Sequence, residues 1–170
     1  MSLNLRFASD GAGIVAGIVA SSVALAATAH PAIDAFTAYC FKAGQTPAQA
    51  HANMADLVGD PLPFTLTFWD KTLEPAPNTP AYAERRCEVV FDGDHAADAV
   101  TKVQAKMAKP PVFGTSIPLT PPFAANDGTA YLDARELLRK RVAVVHIGTR
   151  KGPETFIRVD RLPPGMGLSE

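Results

Sequence analysis

The apolar positions of this chain change period several times, and each change predicts an element. Ile33, Phe36, Cys40 and Phe41 recur at helical spacing, which predicts a first helix over 31–42, stopped at Gly44. Thr46 can accept a hydrogen bond from the free N–H groups of a helix start, and Pro47 has no N–H to leave unpaired, so a second helix begins there. Its stripe is Ala50, Met54, Leu57 and Val58, and Gly59-Asp60-Pro61 ends it. From Phe64 to Trp69 apolar and polar residues alternate, the period of a strand with one buried face. The aromatic side chains Phe64, Phe68 and Trp69 are expected in the core.

A second strand is predicted over 86–91, closed by the turn Asp92-Gly93-Asp94. Asp94 can cap the helix that follows over 95–109, whose buried stripe is Val100, Val103 and Met107. Further on, 141–149 is rich in Val and Ile and 155–162 alternates, which predicts two strands joined by the turn Arg150-Lys151-Gly152-Pro153. Between these regions, 112–128 carries Pro and Gly punctuation with no sustained period and reads as a long loop. The stretch 129–141 is ambiguous, because Leu132, Leu137 and Leu138 fit neither period.

This order of elements predicts an α+β domain: an antiparallel sheet of four to five strands with helices packed on one face. The domain is expected over 30–162, followed by a frayed tail at 163–170.

Residues 1–29 stand apart. Arg6 lies in a short polar start, and Gly11 to Ala29 then run without a charge into Ala27-Thr28-Ala29, the small-Xaa-small pattern of a signal-peptidase site. We expect a cleavable export signal, His30 as the new N-terminus, and a periplasmic or secreted protein. An uncharged run of this length also just spans a bilayer at about 1.5 Å per residue, so a retained inner-membrane anchor over 11–29 is the alternative. Only in that alternative is a membrane expected as a partner.

Two cysteines, Cys40 and Cys87, occur without any CxxC or Cys/His spacing that suits zinc. In an exported chain they most simply pair with each other, bracing the first helix against the second strand.

Charge changes the picture in one respect. The formal net charge of −1 supplies no field for nucleic acid. Residues 30–134 nevertheless carry seven Lys/Arg against twelve Asp/Glu, and 135–161 eight against three. The basic groups Arg139-Lys140-Arg141 and Arg150-Lys151 are expected at opposite ends of one strand, about 30 Å apart.

Motifs for chemistry are not found. There is no G-x-S-x-G, no phosphate loop and no calcium loop, and His30, His51, His95 and His146 stand at no metal-binding spacing. No catalytic residue, metal or cofactor is therefore assigned. Cys40 in a helix with Phe36, an Ala-rich helix ending near Gly59, then Trp69 and the strand opening Cys87-Glu88-Val89 resemble a group of small secreted bacterial proteins of unknown function. The resemblance covers residues 30–91 and implies no activity.

We expect an exported, non-enzymatic domain that binds an unknown protein or a small ligand. Its site is expected on the loop 110–128, through Phe113, Ser116, Ile117 and Phe123, with the loop 71–80 as a second wall. Proline fixes φ in such a loop and lowers the entropy that binding would cost. The alternative is a small periplasmic enzyme built on the same loop from Ser116, Asp127 or His146, and a further one is a membrane-anchored accessory subunit.

Overall fold

The structure, a computed structural model, describes residues 30–109, 113–119 and 121–167. The expected export signal or anchor (1–29) and the end of the tail (168–170) lie outside the described residues. The first helix, α1 (Pro31–Ala35), widens into a π-helical turn over Phe36–Cys40 rather than running regularly to residue 42, and Phe36 and Cys40 are both buried there. In α2 (Pro47–Val58), Thr46 and Gln49 cap each other reciprocally, and this capping box starts the helix as its sequence predicts. Its buried line narrows to Ala50 and Met54, so Leu57, expected in the stripe, is 49% exposed.

The strands are β1 (Thr65–Asp70), β2 (Arg85–Asp92), β3 (Phe113–Ile117), β4 (Thr129–Leu137), β5 (Arg141–Arg150) and β6 (Glu154–Arg161), with α3 (Ala96–Met107) between β2 and β3. Asp94 Oδ1 accepts a hydrogen bond from Ala96 N–H at the start of α3. All neighbours pair antiparallel, in the order β1-β2-β6-β5-β4-β3. The protein is thus mixed α+β with a six-stranded sheet, not one of four or five strands.

The two extra assignments have physical causes. The segment read as a loop over 112–128 contains β3, an edge strand whose central residues Gly114, Thr115 and Ser116 are exposed, so no apolar period marks it. In β4, Tyr131, Asp133 and Arg135 occupy one side and bond to one another, which hides the alternation with Leu132 and Ala134. The hairpin from β4 to β5 turns through Arg139 and Lys140, both at positive φ.

One apolar cluster joins helix and strand residues. Ile33, Phe36, Cys40, Met54, Ala99, Val103 and Met107 pack with Cys87, Val89 and Phe91 of β2, Ile157 and Val159 of β6, and Ala143, Val145 and Ile147 of β5. Cys40 and Cys87 form a disulfide inside it, with Cα atoms 5.4 Å apart. Side chains alternate across a strand, so Arg86, Glu88, His146, Arg158 and Asp160, which fall between those core positions, project to the other side. There a second apolar cluster of Ala134, Val142, Val144 and Leu162 is covered by Ile117, Leu132 and Phe123. Leu162 lies in it, fully buried, just before the tail.

Candidate functional site

The β5–β6 hairpin sets His146 opposite Arg158 and Gly148 opposite Phe156. On the far side of β6, β2 sets Glu88 opposite Arg158 and Arg86 opposite Asp160. The turn Asn126–Gly128 lies against β5: Thr149 N–H donates to the Gly128 carbonyl at 2.9 Å. This approach requires glycine at 148, because a Cβ there would collide with the Gly128 carbonyl oxygen and press on the Phe156 ring.

A cleft of about 480 Å³ opens beside this turn. Arg150, Lys151 and Arg158 line it with Phe156 and His146, and among the described residues Asp127 is the one carboxylate in its wall. Phe156 lies under two cations, with the guanidinium carbons of Arg150 and Arg158 at 5.5 and 6.0 Å from its ring centre.

His146 is 5% exposed and both its ring nitrogens are engaged. A guanidinium has only donors, so Arg158 Nη2 donates to Nδ1 at 2.9 Å. That fixes the tautomer: Nε2 carries the proton and donates to Thr129 Oγ1 at 2.9 Å. Thr129 in turn donates to Asn126 Oδ1 at 2.9 Å and accepts from Asn126 N–H at 3.0 Å. Burial, and then the Arg158 charge, push the His146 pKa down to about 4, so the ring is neutral at neutral pH.

A ladder of alternating charge supports Arg158. Arg86 grips both oxygens of Asp160 through Nε and Nη2, at 2.7 and 2.9 Å. Burial works against the Arg86 charge, but the Asp160 hydrogen bonds and charge, helped by Tyr82, raise its pKa overall. Glu88 bonds Arg150 at 2.8 Å and stands 3.6 Å from Arg158. Arg158 Nε lies 3.6 Å from Asp160 and makes no hydrogen bond.

The residues singled out from the sequence scatter. Asp127 and His146 line the same cleft. Ser116 does not join them: it donates to Asp133, which also accepts from Tyr131 and Arg135 at 2.7 Å each. Asp133 pairs with Val145, next to His146, so its side chain leaves the sheet on the opposite side from the imidazole. Burial opposes the Asp133 charge, yet the bonds from Ser116, Arg135 and Tyr131 hold its pKa low. Phe113 meets Phe41 edge-on at 5.0 Å and packs on the main core. Phe123 meets Tyr82 edge-on at 5.2 Å, and with Ile117 it covers the second cluster. All three are half-buried. Trp69 is not in the core with Phe68. It faces the polar side, with Lys71 and Arg86 over its ring at 5.1 and 5.8 Å.

Sequence reasoning missed Arg158, Glu88, Thr129 and Asn126. One signal was present: charged residues two apart, Arg86 with Glu88 and Arg158 with Asp160, inside otherwise apolar strands. Among the described residues no group of three or more His, Cys, Asp or Glu side chains is placed to hold a metal, and no helix is long and apolar enough to cross a membrane. No family model, curated protein or solved structure matches the chain.

Proposed function

We propose that this is an exported, non-catalytic domain that binds a small anionic solute in the cleft between the Asn126–Gly128 turn and the β5–β6 hairpin. In this reading the helices cover one face of the sheet and the opposite face presents the charge ladder. The carrying observation is the state of His146: a neutral imidazole with its lone pair bonded to Arg158 and its proton to Thr129. Such a ring has no free lone pair to take a proton from a substrate, so its work is to position its neighbours. One of those neighbours, Arg158, is a cation. Three basic side chains against one carboxylate in the wall favour an anion, and the volume suits a small organic molecule. The buried disulfide accords with an oxidising compartment, which supports export.

The test is calorimetric titration of the mature chain with small carboxylates and with inorganic phosphate. Saturable binding that the exposed double variant Arg150→Gln/Lys151→Gln weakens tenfold or more is expected. Binding indifferent to that variant would place the site elsewhere. The enzyme alternative has Asp127 and His146 in one cleft in its favour, and conversion of the bound solute during the titration would establish it over ours.

A further inference from the structure

A second cavity, of about 40 Å³, lies beside the Cys40–Cys87 disulfide. Its wall is apolar, with Phe41, Phe113, Leu137 and Val159, except for two guanidinium side chains, Arg85 and Arg161. Among the described residues no carboxylate lines it.

The two arginines are direct cross-strand partners in the β2–β6 register, and like charges so placed repel. The nearby carboxylates do not balance them. Asp70 accepts Arg161 Nη2 on both oxygens, at 3.0 and 3.1 Å, and Thr72 N–H as well. Glu84 accepts Arg161 Nε at 3.1 Å and Arg141 at 3.0 Å through the same oxygen. Three guanidinium groups thus share two carboxylates.

Arg85 is the one left over. Its side chain is 6% exposed, and its nearest carboxylate oxygen, on Asp70, is 3.8 Å from Nε, too far for a hydrogen bond. Nε and Nη2 are both out of contact with solvent, and neither has an acceptor among the described residues. On the next residue, Arg86, the same edge of the guanidinium is filled by the two oxygens of Asp160. Burial, and then the Arg161 charge, lower the Arg85 pKa only to about 10, so the charge stays at neutral pH. The centre of the Phe68 ring lies 5.0 Å from the Arg85 guanidinium carbon, but a ring face leaves the N–H donors unbonded, and a buried charge without its hydrogen-bonded partner is costly.

We propose that this cavity is a binding site for one small monovalent anion, of chloride or formate size, held by Arg85 and Arg161. A water needs roughly 10–15 Å³ of such space, so the volume admits an ion of this size and excludes organic anions much larger than formate. The site is separate from the larger cleft and shares no residue with it.

Crystals of the mature chain grown in bromide should show an anomalous peak between Arg85 and Arg161. In solution, chloride, bromide and formate should each raise the Tm saturably, while gluconate at equal ionic strength should not. Arg85→Met, which keeps the apolar stem, should abolish the bromide peak and the chloride-specific rise, and Arg150→Gln/Lys151→Gln should leave the peak intact. A wild-type crystal with no bromide there, with Arg85 bonded to Asp70 or to water alone, would overturn the proposal.

Discussion

His146 and Arg158 face each other across the β5–β6 ladder, and the guanidinium of one donates to the Nδ1 of the other at 2.9 Å. A protonated imidazole could not accept that bond and would set two cations against each other. Burial and this pairing together hold the histidine neutral, and through Nε2 the ring also fixes Thr129 and the Asn126 turn that forms one wall of the cleft.

A pH dependence of stability follows. The folded ring titrates at about 4, against an ordinary value of 6.5. Between those values the unfolded chain takes up a proton that the folded one refuses, so stability is complete above pH 6.5 and is lost as pH falls toward 4. The shift corresponds to about 3 kcal/mol. Urea unfolding of wild type and His146→Gln at pH 7.5 and 4.5 should show a smaller loss in the variant. Equal losses in the two proteins would remove His146 as the cause.

Gly148→Ala tests how the cleft wall is held. The added methyl group meets the Gly128 carbonyl and the Phe156 ring, so either the turn lifts or β5 shifts. We expect a cost of about 1–3 kcal/mol, typical of forcing a methyl into a packed contact. Amide NMR shifts should concentrate at Asn126–Thr129 and leave the signals of α2 in place. A variant with wild-type stability and an unmoved turn would show that the approach at Gly148 is not tight.

The disulfide closes a loop of 47 residues between α1's extension and β2. On the chain-entropy view this stabilises the fold by about 4 kcal/mol. Cys40→Ala/Cys87→Ala should lower the unfolding free energy by an amount of that order, with little change in the strand signal of the circular dichroism. A loss under about 1 kcal/mol would mean that the core holds these elements without the bridge.

What could be read from the sequence divides along the range of the interactions. Thr46-Pro47, the alternation through β1 and the valine run of β5 are local signals, and the structure keeps them. The disulfide was legible as well, since only one pairing was open to two cysteines. β3 was not, because an edge strand that buries little needs no apolar period. Nor was β4, whose polar row is satisfied only by side chains that meet after folding. The candidate site was half legible for the same reason. His146 and Asp127 stand out by residue type, whereas Arg158 and Glu88 acquire meaning only when β2 pairs with β6 across some seventy residues of chain.

The Arg86–Asp160 pair offers the sharpest test of the charge ladder. Asp160 is 1% exposed, accepts two hydrogen bonds from Arg86 and sits 3.6 Å from Arg158 Nε. Removing its charge leaves the half-buried Arg86, its side chain 14% exposed, without its partner, and breaking a buried pair from one side costs about 3–5 kcal/mol, the upper end of what is expected here. Asp160→Asn should therefore be strongly destabilising in urea. Arg86→Met/Asp160→Leu removes both charges and keeps the volume, and double replacement of this kind is often close to neutral. We expect the double variant to recover at least half of the single variant's loss. Recovery should stay incomplete, because Arg158 also loses the carboxylate beside its unbonded Nε. A double variant no more stable than Asp160→Asn would mean that Asp160 acts chiefly on Arg158, and that the ladder is centred on the histidine's partner rather than on Arg86.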